Sequence, residues 1–273
     1  MVPVEHNQKR TRLLWSLVLL SVGLLLIGWL LNTPKGLLGK ADAVGYAVCH
    51  RIDARSFHLG DRTIPLCARC SGMYLGAVLC LTYQALRSPR SGGMPPKRVV
   101  IVLGLFVVGF AIDGLNSYLH LGFFKLSPTL YEPQNWLRML TGFGMGIAIG
   151  AVIYPAFNQT IWRNWDPSPA LPGFNDMGAL LLLALITALL MITENPLILY
   201  PLALISAAGV LVLLTLVYAM ILSMIFRLEN RFNRFNQLWL ILVGGFGVAL
   251  MQIVVLDTLR FILTGTWEGF NLG

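Results

Sequence analysis

Long runs of uncharged, apolar residues alternate with short charged connections along this chain of 273 residues. Apolar residues make up 56% of it and charged residues 12%, about half of what a soluble globular domain carries. A helix of about 20 apolar residues crosses the hydrocarbon core of a bilayer. We therefore predict an all-α, polytopic integral membrane protein of about seven transmembrane helices, a single membrane domain over residues 1–273 in a lipid bilayer. The apolar runs are 13–31, 71–86, 99–121, 137–157, 178–193, 200–226 and 238–263.

The second run is the least typical of a transmembrane helix, because residues 71–86 number only 16. It reaches a usual length if its helix begins near Leu66, inside a cluster of cysteines and histidines. Residues 35–70 are predicted to form a Cys/His loop outside the membrane, tied to the start of this helix.

The fourth run contains many small residues, with Thr141 followed by Gly142, Gly144, Gly146 and Gly150. Small side chains let helix backbones approach closely in lipid, where no hydrophobic force drives helices together. This pattern predicts close packing of the fourth helix against another helix.

Lysine and arginine are concentrated in the connections, and the formal net charge of the chain is +8. Eleven of them fall on the N-terminal side of a seven-helix topology and seven, Lys125 among them, on the other side. Because cytoplasmic connections carry the excess, we predict a multi-pass protein of the plasma (inner) membrane with a cytoplasmic N-terminus and an outward-facing Cys/His loop. The same distribution suits an anionic inner leaflet, so we expect no nucleic-acid partner.

Metal- or redox-capable side chains are concentrated in one short segment. Three of the four cysteines and two of the four histidines fall between Cys49 and Cys70, and Cys67 and Cys70 form a Cys-x-x-Cys motif. Two sulfurs at this spacing reach one tetrahedral ion, and zinc accepts three thiolates and one imidazole. We therefore predict a zinc site in which these three cysteines are thiolate ligands and His50 or His58 is the fourth ligand.

The same cysteines also permit redox chemistry. A Cys-x-x-Cys motif at the start of a membrane helix, with Cys49 as a shuttle cysteine, is what a membrane thiol oxidoreductase coupled to quinone needs. Cys80 lies three turns into the second run, where a cysteine is usually a packing residue. A third interpretation is that the cysteines carry no chemistry. Four nearby arginines would stabilise thiolates, namely Arg51, Arg55, Arg62 and Arg69.

Ionisable side chains inside the apolar runs are costly unless they are paired or wetted, so each is a candidate functional residue. Counting the predicted membrane crossings along the chain places these ionisable side chains near the membrane face that carries the cysteines. His120 and Glu194 are placed near the same face. One interpretation is that Asp113–Arg138 and Asp257–Arg260 are ion pairs that hold helices together. A second is that some of these side chains, Asp257 and Arg260 above all, extend to the membrane interface from near a helix end. A third is a polar intramembrane cavity for a ligand or proton. Its predicted ligand-binding residues are Asp113, Asn116, Asn135, Arg138 and Asp257.

The cysteine segment also resembles a known family. The matching residues are Cys49-His50, Arg55-Ser56-Phe57 and the stretch 65–76, which reads Pro-Leu-Cys-Ala-Arg-Cys-Ser-Gly-Met-Tyr-Leu-Gly. They are similar to the signature of the domain-of-unknown-function 2085 family of uncharacterised prokaryotic membrane proteins. The similarity continues through 113–116 and 135–142. The resemblance implies a membrane location and a shared site at Cys49, His50, Cys67 and Cys70, which favours His50 as the fourth ligand; it implies no activity.

A zinc ion with four protein ligands has no vacant position for a substrate, which favours a structural role. We therefore predict a small-molecule or lipid binding protein, a transport-type protein, or an accessory subunit of a larger membrane complex with other membrane subunits as partners. The alternative is an enzyme, either the thiol oxidoreductase using Cys67 and Cys70 or a metal-dependent enzyme acting on a lipid-phase substrate. The residues leave open whether the chain is an enzyme.

Overall fold

The computed structural model describes residues 4–120 and 130–269, and it has the predicted all-α architecture. Leu121 and Lys125, assigned above to a span and to a connection, lie outside the described residues. Six of the eight α-helices in the described part are long and apolar enough to cross a membrane, all except the second and third. The helices are α1 (Val4–Asn32), α2 (Gly36–Val48), α3 (Ala68–Arg87), α4 (Lys97–Leu119), α5 (Asn135–Ile161), α6 (Phe174–Ile192), α7 (Pro196–Ile225) and α8 (Trp239–Thr264).

α3 corresponds to the second predicted run, which is the one that falls outside the six long apolar helices. Its 20 residues begin at Ala68, directly after Cys67, so the helix starts inside the cysteine motif, close to the expected start at Leu66. Gln84, near its other end, is fully buried and donates a hydrogen bond of 3.0 Å to the carbonyl oxygen of Gly150 on α5. Nine of the 20 residues of α3 are buried against other parts of the protein. A helix that contacts protein rather than lipid over much of its surface can be more polar than the six long apolar helices.

The segment before α3 is not the simple loop that the sequence analysis predicted, because α2 occupies its first part. A helix of 13 residues that includes Lys40 and Asp42 is too short and too polar to resemble a membrane span, which is why the pattern was misread. Its buried residues are small or apolar, and Gly45 lies so close to the carbonyl of Pro65 that a Cβ atom would overlap it.

The remainder of this segment folds back toward α3 through short local elements. A 3-10 turn covers Asp53–Arg55, and an antiparallel hairpin pairs β1 (His58–Leu59) with β2 (Arg62–Thr63). Together they return the chain to the end of α2, so that Cys49 and Cys67 become neighbours.

Short elements also close the opposite end of the helix bundle. β3 (Ser91–Gly93) pairs in parallel with β4 (Asp166–Pro169), and a 3-10 turn covers Phe235–Gln237 just before α8. Asn158, near the end of α5, donates to the carbonyl oxygen of Ser91 at 2.8 Å. The connections of this end are thus fastened to one another and to α5.

α1 runs beside α8, and two contacts between aromatic or polar side chains mark the ends of the pair. The rings of Trp15 and Trp239 meet edge to face, with centroids 5.0 Å apart. At the other end, the Trp29 indole Nε1 donates to the Asp257 Oδ2 at 3.2 Å. The two helices therefore run in the same direction.

α3 and α5 also run in the same direction and pack closely. Gly72 and Gly76 of α3 lie against Met139 and Phe143 of α5, in the same order along both helices. A Cβ atom at either glycine would clash with the backbone of α5. The close packing predicted from the glycines of the fourth run is therefore present, and its partner helix carries the cysteine motif.

Gly146→Ala should weaken this contact, because a Cβ atom there would overlap the carbonyl oxygen of Met73 on α3. Overpacking of this kind costs about 1 to 3 kcal/mol. Thermal unfolding of the protein in detergent micelles measures the effect. Gly104→Ala on α4 is the matched control, because nothing lies within 4 Å of its added Cβ atom. Equal melting temperatures for the two variants would contradict the assigned contact.

Candidate metal centre and its polar surroundings

Three cysteines from two separate parts of the chain meet in one cluster, in which Cys49 is buried and Cys67 and Cys70 are half-buried. Cys49 follows the last residue of α2, Cys67 immediately precedes α3, and Cys70 lies in the first turn of α3. Their three sulfur atoms all lie within 4.8 Å of one another. All four cysteines of the chain belong to the described residues and none forms a disulfide. The cluster therefore consists of three thiol groups available for metal binding or oxidation.

The end of α8 holds the backbone around Cys49. The guanidinium Nη1 of Arg260 donates to the carbonyl oxygens of Tyr46 and Cys49, each at 2.6 Å, and its Nη2 donates to the carbonyl oxygen of His50 at 3.3 Å. The Arg260 guanidinium also stacks over the Tyr46 ring, 4.0 Å from its centroid. A side chain far away in the sequence thus fixes the direction in which α2 ends.

A second set of charged residues stabilises the same segment. Asp42 of α2 accepts a hydrogen bond from Arg51 at 2.8 Å and forms an ion pair with Arg62 of β2. Burial raises the pKa of Asp42, and the two arginines act in the opposite direction. Of the four arginines expected to stabilise thiolates, Arg51 and Arg62 therefore mainly neutralise a carboxylate.

The three thiols differ in acidity because they hydrogen-bond to one another. Contacts from Cys67 and Cys70 hold the pKa of Cys49 well below its ordinary value. The same contact with Cys49 raises the pKa of Cys67 to about 12. Hydrogen bonds within the cluster therefore favour ionisation of one thiol. A divalent cation would displace the other protons, because metal ions bind the thiolate form.

The cluster fits zinc in donor type and in spacing. Zinc bonds to thiolate sulfur at about 2.3 Å, so two sulfurs of a tetrahedral site lie about 3.8 Å apart. The observed upper limit of 4.8 Å requires only a small inward movement. Cys49, Cys67 and Cys70 are the residues that would hold the ion.

The histidine ligand is not brought into the cluster. Within the described part of the chain the group contains no histidine, and His50 has an exposed side chain. His58 lies 3.2 Å, through Nε2, from Oδ1 of Asp53, and its backbone N–H donates to Glu194. Three of the four predicted ligands are therefore together, and the imidazole ligand stays a prediction.

Asp113 of α4 has a partner that the sequence analysis did not choose. Its Oδ2 accepts from the Nε of Arg69 at 2.9 Å, and the Nη2 of Arg69 forms an ion pair with the same oxygen. The hydroxyl of Tyr131 donates to Oδ1 at 2.8 Å. The expected Asp113–Arg138 ion pair is wrong, because Arg69, at the start of α3, is the residue that reaches the carboxylate.

Ser117, one turn after Asp113, was missed although its position on the same helix face was readable from the spacing. Its hydroxyl accepts from Arg69 Nη2 at 2.8 Å and from Arg138 Nε at 3.3 Å. Arg138 also donates to the amide oxygen of Asn135 at 2.8 Å. Asn116 instead holds the chain that follows α4, accepting from the N–H of Leu130 at 2.8 Å.

Tyr131 was also absent from the predicted site. Burial, followed by its hydrogen bond to Asp113, raises the pKa of Tyr131 to about 12, so its hydroxyl stays a donor. With Arg69 and Ser117 it completes a network around Asp113, whose exposed fraction is 1%. Asp113 is therefore held by protein groups on both carboxylate oxygens, and a direct contact between it and a ligand stays a prediction.

Asp257 and Arg260 have separate main contacts rather than forming a simple helix-holding pair. Asp257 accepts from Trp29, whereas Arg260 binds the carbonyls near Cys49. Asp257 lines a cavity of about 520 Å³ together with Trp29 and Thr33. A ligand-binding role for Asp257 stays a prediction.

The polar residues converge on the end of the bundle that carries the cysteines. Arg69 reaches α4, Arg260 reaches Cys49, and Glu194, just before α7, accepts from the N–H of His58 at 3.0 Å. The first contact joins α3 to α4, and the other two join α8 and the start of α7 to the segment between α2 and α3. The fold and the site together define a multi-pass membrane protein with a three-cysteine cluster that could hold a metal ion.

Comparison with known proteins finds one matching family and two similar relatives. A family model described as a predicted membrane protein, DUF2085, matches residues 49–152. An uncharacterised protein of Methanothermobacter thermautotrophicus is 31% identical over 108 residues, 38% of this chain and 83% of that relative. An uncharacterised protein of Methanocaldococcus jannaschii is 27% identical over 124 residues, 45% of this chain and 72% of that relative. No solved structure matches the chain.

The chain therefore belongs to the DUF2085 family of predicted membrane proteins, as its cysteine signature indicated. The matched residues run from Cys49 through most of α5 and include the three clustered cysteines, Asp113 and Arg138. Asp257 and Arg260 lie beyond them.

Asp113→Asn should destabilise the protein by about 3 kcal/mol, because it leaves the Arg69 guanidinium partly buried without its counter-charge. Unfolding followed by circular dichroism in detergent micelles measures the change. Asp61→Asn, at an exposed turn, is the control and should leave stability unchanged. If the two variants unfold alike, the Arg69–Asp113 pair does not stabilise the fold.

Proposed function

We propose that the three-cysteine cluster holds one zinc ion in a structural role, in a membrane protein that binds or transports a small molecule or lipid or serves as an accessory subunit of a larger membrane complex. The observation that carries this proposal is the meeting of three sulfurs within 4.8 Å from the end of α2 and the start of α3. An ion bound there would fasten α2 to α3 and hold the intervening hairpin against the helices.

His50 is the proposed fourth ligand. It follows Cys49 directly and its side chain is exposed, so a change of side-chain rotamer and a small backbone adjustment would bring an imidazole nitrogen toward the sulfurs. Three thiolates and one imidazole complete a tetrahedral zinc site and leave no position for a substrate, which supports a structural rather than a catalytic ion.

The binding role is assigned to the polar residues at the same end of the bundle. Buried polar side chains in a membrane protein are costly, and those that serve a ligand are commonly gathered near one face. The residues proposed for this role are Asp113, Asn116, Asn135, Arg138 and Asp257. We further propose an inner-membrane location with a cytoplasmic N-terminus, which puts the cysteine cluster on the outer side.

Purified full-length protein should contain about one equivalent of zinc by elemental analysis. Cys67→Ser should reduce the zinc content to near zero and lower the melting temperature, because the site loses a thiolate ligand. Cys80→Ser is the matched control; Cys80 is buried in α3, where its sulfur contacts Gln84 rather than the cluster. Equal zinc contents in both variants would contradict the proposed ligand set.

The fourth ligand can be tested separately. His50→Ala should weaken zinc retention during dialysis against a chelator by about tenfold or more, whereas His58→Ala should retain zinc like the parent protein. His58 is a suitable control because it lies in the same segment and contacts Asp53. If His58→Ala loses zinc and His50→Ala does not, the ligand assignment is reversed.

A membrane thiol oxidoreductase is the second candidate, favoured by the lowered pKa of Cys49 beside two further thiols. In that reaction Cys67 and Cys70 would be oxidised to a disulfide, and their two electrons and two protons would pass to a quinone, giving a quinol. Zinc-free protein with a Cys67–Cys70 disulfide, detected by mass spectrometry of non-reduced peptides, would replace the structural-zinc proposal with this one.

A further inference from the structure

Three arginine side chains from three parts of the chain converge on one residue of α4. The Nη2 of Arg55 donates to the carbonyl oxygen of Ser117 at 2.7 Å. Arg69 and Arg138 donate to the Ser117 hydroxyl at 2.8 Å and 3.3 Å. Because each guanidinium lies within hydrogen-bonding distance of the same residue, the three positive charges are held close together.

This arginine cluster, made of Arg55, Arg69 and Arg138, contains more positive than negative charge. Among the described residues, Asp113 is the one carboxylate that hydrogen-bonds to any of these three arginines, and it does so through Arg69. Arginine stays protonated in proteins, so three positive charges face one negative charge. A zinc ion with three thiolates adds about one further negative charge nearby. Together the three guanidinium groups, Asp113 and such a zinc site would carry a net charge of about +1.

Two of the three guanidinium groups have donors to spare. Arg55 is half-buried, and its hydrogen bond to Ser117 uses one of five N–H groups. Arg138 donates to Ser117 and Asn135 and keeps further N–H groups. Arg69 is occupied by Asp113 and Ser117. Arg55 and Arg138 thus each keep N–H donors beyond these bonds, beside a third guanidinium that Asp113 and Ser117 hold in place.

Burial lowers the pKa of Arg55, and repulsion from Arg69 lowers it further. This repulsion acts between groups that the fold holds at a fixed position, so it is present before any ligand binds. An anion that entered between the guanidinium groups would relieve it.

We propose that Arg55 and Arg138 form a binding site for a phosphate group, with Arg69 adding to its positive field. A phosphate suits the site better than a carboxylate because it offers more acceptor oxygens to forks that approach from different directions, and because a phosphate monoester carries up to about two negative charges. This inference deepens the proposed binding function by naming its ligand class, but it does not depend on the metal.

The phosphate can belong to a lipid headgroup or to a molecule in the aqueous phase, since the site lies near the C-terminal end of the predicted membrane span α4. The full-length protein in dodecyl maltoside is titrated by calorimetry with sodium phosphate in one arm and with dioctanoyl phosphatidic acid in another. Dioctanoyl phosphatidylcholine and sodium acetate, at the same ionic strength, are the comparison ligands.

Saturable binding of sodium phosphate assigns a free phosphate compound, and binding of phosphatidic acid alone assigns a lipid headgroup. In either case Arg55→Gln should weaken binding about tenfold, because one charged hydrogen-bonding partner is lost. Arg62→Gln is the matched control; it lies in the same segment but contacts Asp42, and it should change binding by less than about twofold.

Arg55→Gln removes a hydrogen bond to the backbone carbonyl of Ser117, so it should lower the melting temperature by a few degrees while its zinc content matches that of the parent protein. Arg55→Lys keeps the positive charge but not the planar pair of donors, and it replaces Arg55→Gln as the test if that variant fails to fold. Its affinity for the phosphate ligand should lie between those of the parent protein and Arg55→Gln. Binding of neither phosphate ligand, equal binding of acetate, or equal losses in the Arg55 and Arg62 variants would overturn this inference while leaving the zinc proposal intact.

Discussion

The ion pair between Arg69 and Asp113 joins the cysteine motif to the membrane helices. Arg69 stands between Cys67 and Cys70, so the same turn of α3 supplies two sulfurs to the cluster and a guanidinium to α4. A buried charge is tolerated in a membrane protein when a partner of opposite charge neutralises it. The position of the sulfurs is therefore coupled to the packing of α4, and the surrounding polar groups, Ser117 and Tyr131, arrange themselves around that pair.

Regular features were predictable from the sequence, whereas partner choice was not. The long apolar runs and the glycines of α5 follow from hydrophobic thickness and close helix packing, so the helices and the α3–α5 contact were expected. Residue spacing also indicated that the cysteines would meet. It could not show that Asp113 pairs with Arg69 rather than Arg138, because both arginines lie at the same membrane level and only tertiary geometry distinguishes them. α2 was missed because a short helix with charged residues has no clear hydrophobic signature.

The part of the chain that matches the family ends within α5, yet residues far beyond it complete the surroundings of the cysteines. Arg260 on α8 binds the carbonyls of Tyr46 and Cys49, and Arg51 donates to the carbonyl oxygen of Trp267 at 3.1 Å. The later helices thus contribute hydrogen-bond donors and acceptors to a site whose sulfurs belong to the family region. The identity of the ligands and the shape of their surroundings are set by different parts of the sequence.

α1 is less buried against the rest of the protein than the other five long apolar helices. Within Trp15–Asn32, 6% of the residues are buried, and the helix rests mainly on α8, with Trp29 bonded to Asp257. A segment so widely exposed to acyl chains can enter the bilayer as an independent unit and associate laterally afterwards, as in the two-stage description of membrane assembly. The indole–carboxylate bond would then guide the docking of a helix that the hydrophobic effect does not draw toward its neighbours in lipid.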